Sequence, residues 1–198
     1  MLKAHGEDFK GKKVAISGFG NVSWGTASKL EELGAIPITI SGPDGYILDE
    51  EGVLGEKIDY LLELRASGKN ICKPYADKFK SAKFIEGKKP WEVKADMYIP
   101  CATQNEILID DAKAIVASGA KYVCEGSNMS SSNEAIEYML NNGIILGPSK
   151  AANAGGVACS CIEMGQNSGK TVFKPEQVHA QLKDIMVNIH DAAKNAAE

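Results

Sequence analysis

A glycine-rich run, Gly18-Phe19-Gly20-Asn21-Val22-Ser23, follows directly on the apolar stretch 14–17 and leads into a helical pattern. Residues of these types at this spacing can hold a diphosphate. Gly18 permits a sharp turn and Gly20 leaves the backbone bare for close approach. The N–H groups that open the helix, at Asn21 and Val22, supply donors with a partial positive charge. A tight glycine turn without a ligand is the alternative. Ser23 stands where a third Gly or Ala is usual, and it is small enough to let the helix pack near the strand. Asp44, about twenty residues past Ser23, sits where an acidic side chain can accept hydrogen bonds from ribose hydroxyls. It is equally the first residue of an ordinary Asp-Gly turn. No basic residue occurs between positions 41 and 56, so a 2′-phosphate has no local countercharge and the pattern favours NAD over NADP.

These residues need strands and helices to position them. Short β-rich runs alternate with helical patterns, the signature of parallel strands joined by crossover helices. Strands are expected at 14–17, 36–41, 83–85, 96–99, 121–125 and 144–146, with 46–52 an irregular hairpin or loop. Helices are expected from Ala27 through Leu30 and Leu33 to a stop at Gly34, and over 55–66, 110–118, 133–141, 152–166 and 175–196. In the last of these Pro175 takes the first helical position, and Val178, Leu182, Ile185, Ile189 and Ala193 form one apolar stripe. Six strands suit a doubly wound, mostly parallel α/β sheet with helices on both faces, a Rossmann-like dinucleotide-binding domain.

Composition sets the outer limits. Of 198 residues, 44% are apolar, enough for a sizeable core, so disorder is excluded. Lys and Arg number 22 against 26 Asp and Glu, a net charge of −4, and no broad basic face for nucleic acid follows. A phosphate ligand must therefore be held locally. The five cysteines show no paired C-x-x-C sets, which points to a reducing compartment and no zinc site. Cys159 and Cys161 are expected to pack in the core. No window approaches the ~18 apolar residues of a membrane span, so a cytoplasmic protein is expected. Without repeats or linkers, residues 1–198 read as a single domain, with both ends cut from something longer.

The segments GFGNVSWG, SGPDGYI, KPWEVKADMYIPCATQN, EGSNM and PSKAANAGGVACSCIEMGQN, in this order, resemble the cofactor-binding domain of hexameric glutamate dehydrogenase. The resemblance runs along nearly the whole chain. It implies that Ala102, Thr103, Gln104 and Asn105 line the cofactor cleft, that Asn128 sits beside the nicotinamide ribose, and that Asn153 faces the carboxamide, where an amide can both donate and accept. Caps and turns are the alternative roles for these amides. Val157 and Ser160 match positions reaching toward the substrate, Ser160 being similar to a hydroxyl that binds the side-chain carboxylate of glutamate. Phe19 and Pro43 resemble residues of NAD-preferring members.

The resemblance also implies a reaction, hydride transfer from the Cα of L-glutamate to nicotinamide, which yields 2-oxoglutarate and ammonia. The family's substrate-binding and water-activating lysines sit in a glycine-rich motif, G-G-x-K-G-G, that this chain lacks. No catalytic residue is therefore assigned, and the chain alone is expected to bind cofactor, NAD with NADP possible, without turnover. The full-length protein is expected to be a homohexamer, this piece a monomer or weak dimer. A stand-alone nucleotide-binding or interaction module without catalysis is the competing reading. Dehydrogenases acting on leucine or phenylalanine are disfavoured by PCATQN and Ser160.

Overall fold

The computed structural model describes residues 1–197. Five strands form a parallel sheet: β1 (Lys13–Ile16), β2 (Ile36–Pro37), β6 (Met97–Ile99), β7 (Tyr122–Cys124) and β8 (Ile145–Gly147), in the order β2-β1-β6-β7-β8. The chain moves from β1 to one side and later returns to build outward on the other. The order thus reverses between β1 and β6, and the crevice at that reversal is where open α/β sheets take ligands.

Strand alternation explains the two cores. Val14, Ile16, Met97, Ile99 and Tyr122 face one side, packing with Ala27 and Leu30 of α1 (Asn21–Glu32) and with Ile58 and Leu61 of α2 (Glu56–Ala66). Ala15, Tyr98 and Val123 point to the opposite side. There they meet Ala112 and Ile115 of α4 (Ile109–Ala117) and Ala135 and Met139 of α5 (Asn133–Asn141). With both faces covered, strands read as unbroken apolar runs. The doubly wound α/β class expected from the sequence is the one observed.

The stretch 36–41 is not one strand. Only Ile36 and Pro37 pair with β1, after which the chain turns away as β3 (Thr39–Gly42). The cause is a side chain standing in for main chain. Thr39 Oγ1 accepts from the N–H of Ile16 at 2.8 Å and donates to the carbonyl of Ile16 at 2.9 Å, satisfying both groups while its own backbone is released. Ser41 continues the exchange, its Oγ accepting from Gly18 N–H at 2.8 Å. The freed strand pairs antiparallel with β4 (Gly45–Asp49), and β4 with β5 (Ala82–Glu86), making a second, three-stranded sheet. Two expectations are corrected here. Of the irregular hairpin or loop expected at 46–52, the part up to Asp49 is a regular strand in a hairpin with β3, and the strand at 83–85 belongs to this antiparallel sheet rather than the parallel one. Apolar runs alone do not say which partner a strand takes.

The second sheet is tied to its helices by Asp49, fully buried, which accepts from Lys57 Nζ (2.7 Å), Tyr75 Oη (2.8 Å) and Ser81 Oγ (3.1 Å). Tyr75 lies on the short α3 (Lys73–Lys78), which the sequence reading did not include. Removing one partner from such a buried set typically costs about 3–5 kcal/mol. After β8 come α6 (Ser149–Ala152), α7 (Ala154–Gly169) and α8 (Pro175–Ala197). Among the described residues, no helix is long and apolar enough to cross a membrane.

Two stability outcomes follow. Thr39→Val keeps the shape but strands two buried backbone groups, each costing about 1–3 kcal/mol. Denaturant unfolding should show a loss of roughly 2–6 kcal/mol, with Thr39→Ser far milder; equal losses for the two variants would refute the bridging role. Glu7 is bonded by Lys12, Tyr122 and Lys121, which hold its carboxyl at about 2 against the ordinary 4.5. Its contribution is present in full above pH 4.5 and disappears as pH falls toward 2. Glu7→Gln should therefore flatten the acid side of a stability–pH curve in that window, and an unchanged slope would remove Glu7 from the account.

Candidate functional site

The turn after β1 is held from below. Ser17 Oγ accepts from Cys101 N–H at 2.9 Å, fastening the exit of β1 to the exit of β6. Gly18 then takes φ +87°, and a Cβ there would lie 2.5 Å from Ser23 Oγ and 2.8 Å from the Cys101 carbonyl oxygen. Only glycine fits, on conformation and on space. Ser23 is fully buried and donates to the Ser17 carbonyl at 3.0 Å, so the residue replacing the usual third glycine also braces the turn.

Gly20 is different. Its backbone is extended (φ −110°, ψ −174°), and an added Cβ would meet no atom within 4 Å. It occupies the N-cap of α1, where no side chain caps the helix. The N–H groups of Asn21 and Val22, in the first helical turn, are thus available to an outside acceptor. This is a cradle shaped for an anion, built into a chain of net charge −4.

In front of the turn lies a cleft of about 360 Å³, within the range of small-molecule sites. One wall is the turn itself, Gly18 to Gly20. A second is the loop of Ser41, Gly42 and Pro43, and a third consists of Cys101, Ala102 and Thr103 beyond β6. Six residues singled out from the sequence therefore converge: Gly18, Phe19, Gly20, Pro43, Ala102 and Thr103. The Phe19 ring itself is buried in the core.

Other candidates sit elsewhere. The Asp44 carboxylate accepts from the N–H groups of Cys72 (2.9 and 3.0 Å) and Lys73 (3.0 Å), so it caps α3 from a two-residue hairpin turn and is not part of the cleft lining. Gln104 reaches Met129 Sδ at 3.8 Å, and Asn105, at φ +51°, donates its N–H to the Met129 carbonyl at 2.8 Å. Both join the loop after β6 to the loop after β7. Asn128 is exposed on that second loop. Asn153 donates from Nδ2 to the Ser127 carbonyl at 3.0 Å, at the junction of α6 and α7. Val157 and Ser160 are exposed on α7, three positions apart and on one face.

Seven lining residues are not among the site residues expected from the sequence: Ser41, Gly42 and Cys101, each close in sequence to one that is, and the more distant Arg65, Asn70, Lys89 and Glu106. Arg65 Nη1 donates to the Phe19 carbonyl at 2.8 Å and to Asn70 Oδ1 at 3.0 Å. Residues 41–56 hold no base, but in space α2 returns Arg65 to the turn and Lys89 lines the same cleft. Glu106 is almost wholly buried, which pushes its carboxyl up, opposed by hydrogen bonds and by Lys89. No spacing pattern marks either residue.

The cysteines offer little chemistry. Burial pushes the Cys101 thiol up to about 12 and raises Cys72 and Cys124 as well. Cys159 and Cys161 are exposed rather than packed in the core, a correction; α7 is covered only on the face carrying Ala158 and Ile162. Among the described residues, no group of His, Cys, Asp and Glu could hold a metal ion.

A parallel sheet with its glycine turn and open helix end at the reversal of strand order defines a Rossmann-type α/β domain. The chain belongs to the glutamate/leucine/phenylalanine/valine dehydrogenase family, whose model matches residues 1–198. It is 54% identical over 190 residues to NAD-specific glutamate dehydrogenase of Bacteroides fragilis, covering 96% of this chain and 43% of that protein. NADP-specific glutamate dehydrogenase of Salmonella typhimurium is 44% identical over 192 residues, with 97% and 43% covered. A solved glutamate dehydrogenase mutant superposes with a TM-score of 0.95 at 48% identity, over 99% of this chain and 44% of that one. The chain spans less than half the length of these relatives.

The two glycines separate folding from binding. Gly18→Ala should destabilise by more than the roughly 1–2 kcal/mol that left-handed backbone alone costs, because Cys101 backbone stands in the way. Gly20→Val should leave the melting temperature nearly unchanged and weaken NADH binding by about two orders of magnitude or more. Unaltered NADH affinity in folded Gly20→Val would reject the cradle.

Proposed function

We propose that this chain is the cofactor-binding domain of a glutamate dehydrogenase that oxidatively deaminates L-glutamate to 2-oxoglutarate and ammonia. The observation that carries the reading is the bare Gly20 turn and uncapped α1 at the switch point, in a chain whose relatives at 44% and 54% identity bear that name. A nicotinamide cofactor, when bound, accepts the hydride. This chain's part is orientation and charge placement.

The N–H groups at the start of α1 hold the pyrophosphate, and the helix end offsets charge that an acidic chain would otherwise repel. Pro43 and the 102–103 loop bound the adenosine side. Asn128, on the 127–130 loop, and Asn153, whose Nδ2 is bonded to the Ser127 carbonyl, serve the nicotinamide half. Val157 and Ser160, on the exposed face of α7, form one wall for the amino acid; the lysines that would bind its carboxylate and activate water belong to the remainder of the longer protein. Alone, the chain binds cofactor without turnover, and the longer protein assembles as a hexamer.

NAD is the preferred cofactor in this reading. Support comes from Phe19 and Pro43, which add no charge beside the ribose, and from Arg65, one of whose nitrogens is already engaged by Phe19 and Asn70. Asp44, bonded to the start of α3, acts through the shape of the hairpin turn rather than as a direct ribose acceptor. Isothermal titration with NADH and NADPH is the measurement: NADH should bind more tightly. Tighter NADPH would make Arg65 a 2′-phosphate ligand and reverse the preference, and failure of both at millimolar concentration would overturn the function.

A further inference from the structure

Glu106 sits where an apolar residue would be cheaper. The residue is 3% exposed, and a carboxylate is among the costliest groups to bury without partners. The partners come from separate loops. Oε1 accepts from Ala102 N–H at 2.9 Å, in the loop after β6, and from Ser127 Oγ at 3.3 Å, in the loop after β7.

The connections extend outward from there. Ser127 Oγ lies 2.6 Å from Ser130 Oγ, and the Ser127 carbonyl accepts from Asn153 Nδ2 at 3.0 Å. Lys89 Nζ grips the Glu106 main-chain carbonyl at 2.7 Å from the rim of the cleft. One buried carboxylate is therefore linked to the 102–103 wall through Ala102, and to the Asn128 loop and Asn153 through Ser127. None of these bonds holds two elements of the hydrophobic core together: the Ala102 bond shapes the loop that carries Glu106 itself, and the Ser127 bond crosses from it to the loop after β7.

We infer that Glu106 is a positioning residue: its carboxylate sets the spacing between the wall that takes the adenosine half of a dinucleotide and the wall that takes the nicotinamide half. The inference rests on the cofactor reading above. It acts by preorganisation, so it matters most for a ligand that spans both walls and least for one that occupies a single wall.

The experiment uses the full-length protein that carries this chain, with NADH affinity followed by fluorescence, ADP affinity by calorimetry, and melting temperature as a control. Glu106→Ala should weaken NADH by about tenfold or more while ADP stays within about threefold, the scale of losing a charge-assisted hydrogen bond. Glu106→Gln keeps an oxygen for Ala102 and Ser127 and should restore NADH to within about threefold of the parent. Unchanged NADH binding in Glu106→Ala, equal losses for NADH and ADP, or a Glu106→Gln variant as impaired as Glu106→Ala would each overturn the positioning role. If the unsubstituted protein binds neither ligand, the cofactor reading itself fails, an outcome distinct from the other three.

Discussion

The joint between the exits of β1 and β6 governs the rest of the molecule. Ser17 Oγ holds Cys101 N–H there, and Gly18 presses so closely on the Cys101 carbonyl that no side chain fits between them. That closeness bends the chain sharply enough for α1 to begin pointing back over the sheet, with its first N–H groups facing the crevice. A wider joint would let the helix start swing away from the crevice. The open helix end and the cleft in front of it are consequences of this one tight approach.

Much of the architecture was legible because local signals agreed with the global fold. The segment 14–34 showed a strand, a glycine turn, a helix and a Gly stop in order, and the structure has each. Helix α5 has the bounds expected from the sequence, 133–141, and the structure adds the cap that starts it, Ser132 Oγ accepting from Ala135 N–H at 3.2 Å. The break after Pro37 was hidden, since Thr39 looks like any β-branched strand residue until its hydroxyl is seen serving both polar groups of Ile16. Periodicity records burial; it does not record which main-chain groups a side chain has replaced.

The site divides along the same line. Residues adjacent in sequence to the turn were identifiable by spacing, while Arg65 and Glu106 arrive from elements that carry no pattern. Asp44 shows how one residue type at one spacing can satisfy two geometries. The hairpin turn aims its carboxylate at the N–H groups of Cys72 and Lys73, and the partner chosen depends on a helix nearly thirty residues away. Buried carboxylates recur in the structure. Asp49 ties helices to the second sheet, and Glu125 accepts from Ser131 N–H at 2.7 Å and Ser149 N–H at 3.1 Å, joining the loops after β7 and β8. Each such acid satisfies backbone or hydroxyl donors where irregular chain would otherwise leave them stranded.

The cleft straddles a seam. Gly18 and Ala102 lie in the loops that follow β1 and β6 of the parallel lobe, whereas Ser41 and Gly42 end β3 of the antiparallel one, and across part of that boundary hydroxyl bridges take the place of a continuous backbone ladder. Any molecule lodged there touches both lobes and works as a fastener between them. By mass action, occupancy then adds to the cohesion of the lobes, and whatever loosens the lobes must equally loosen the grip on the occupant.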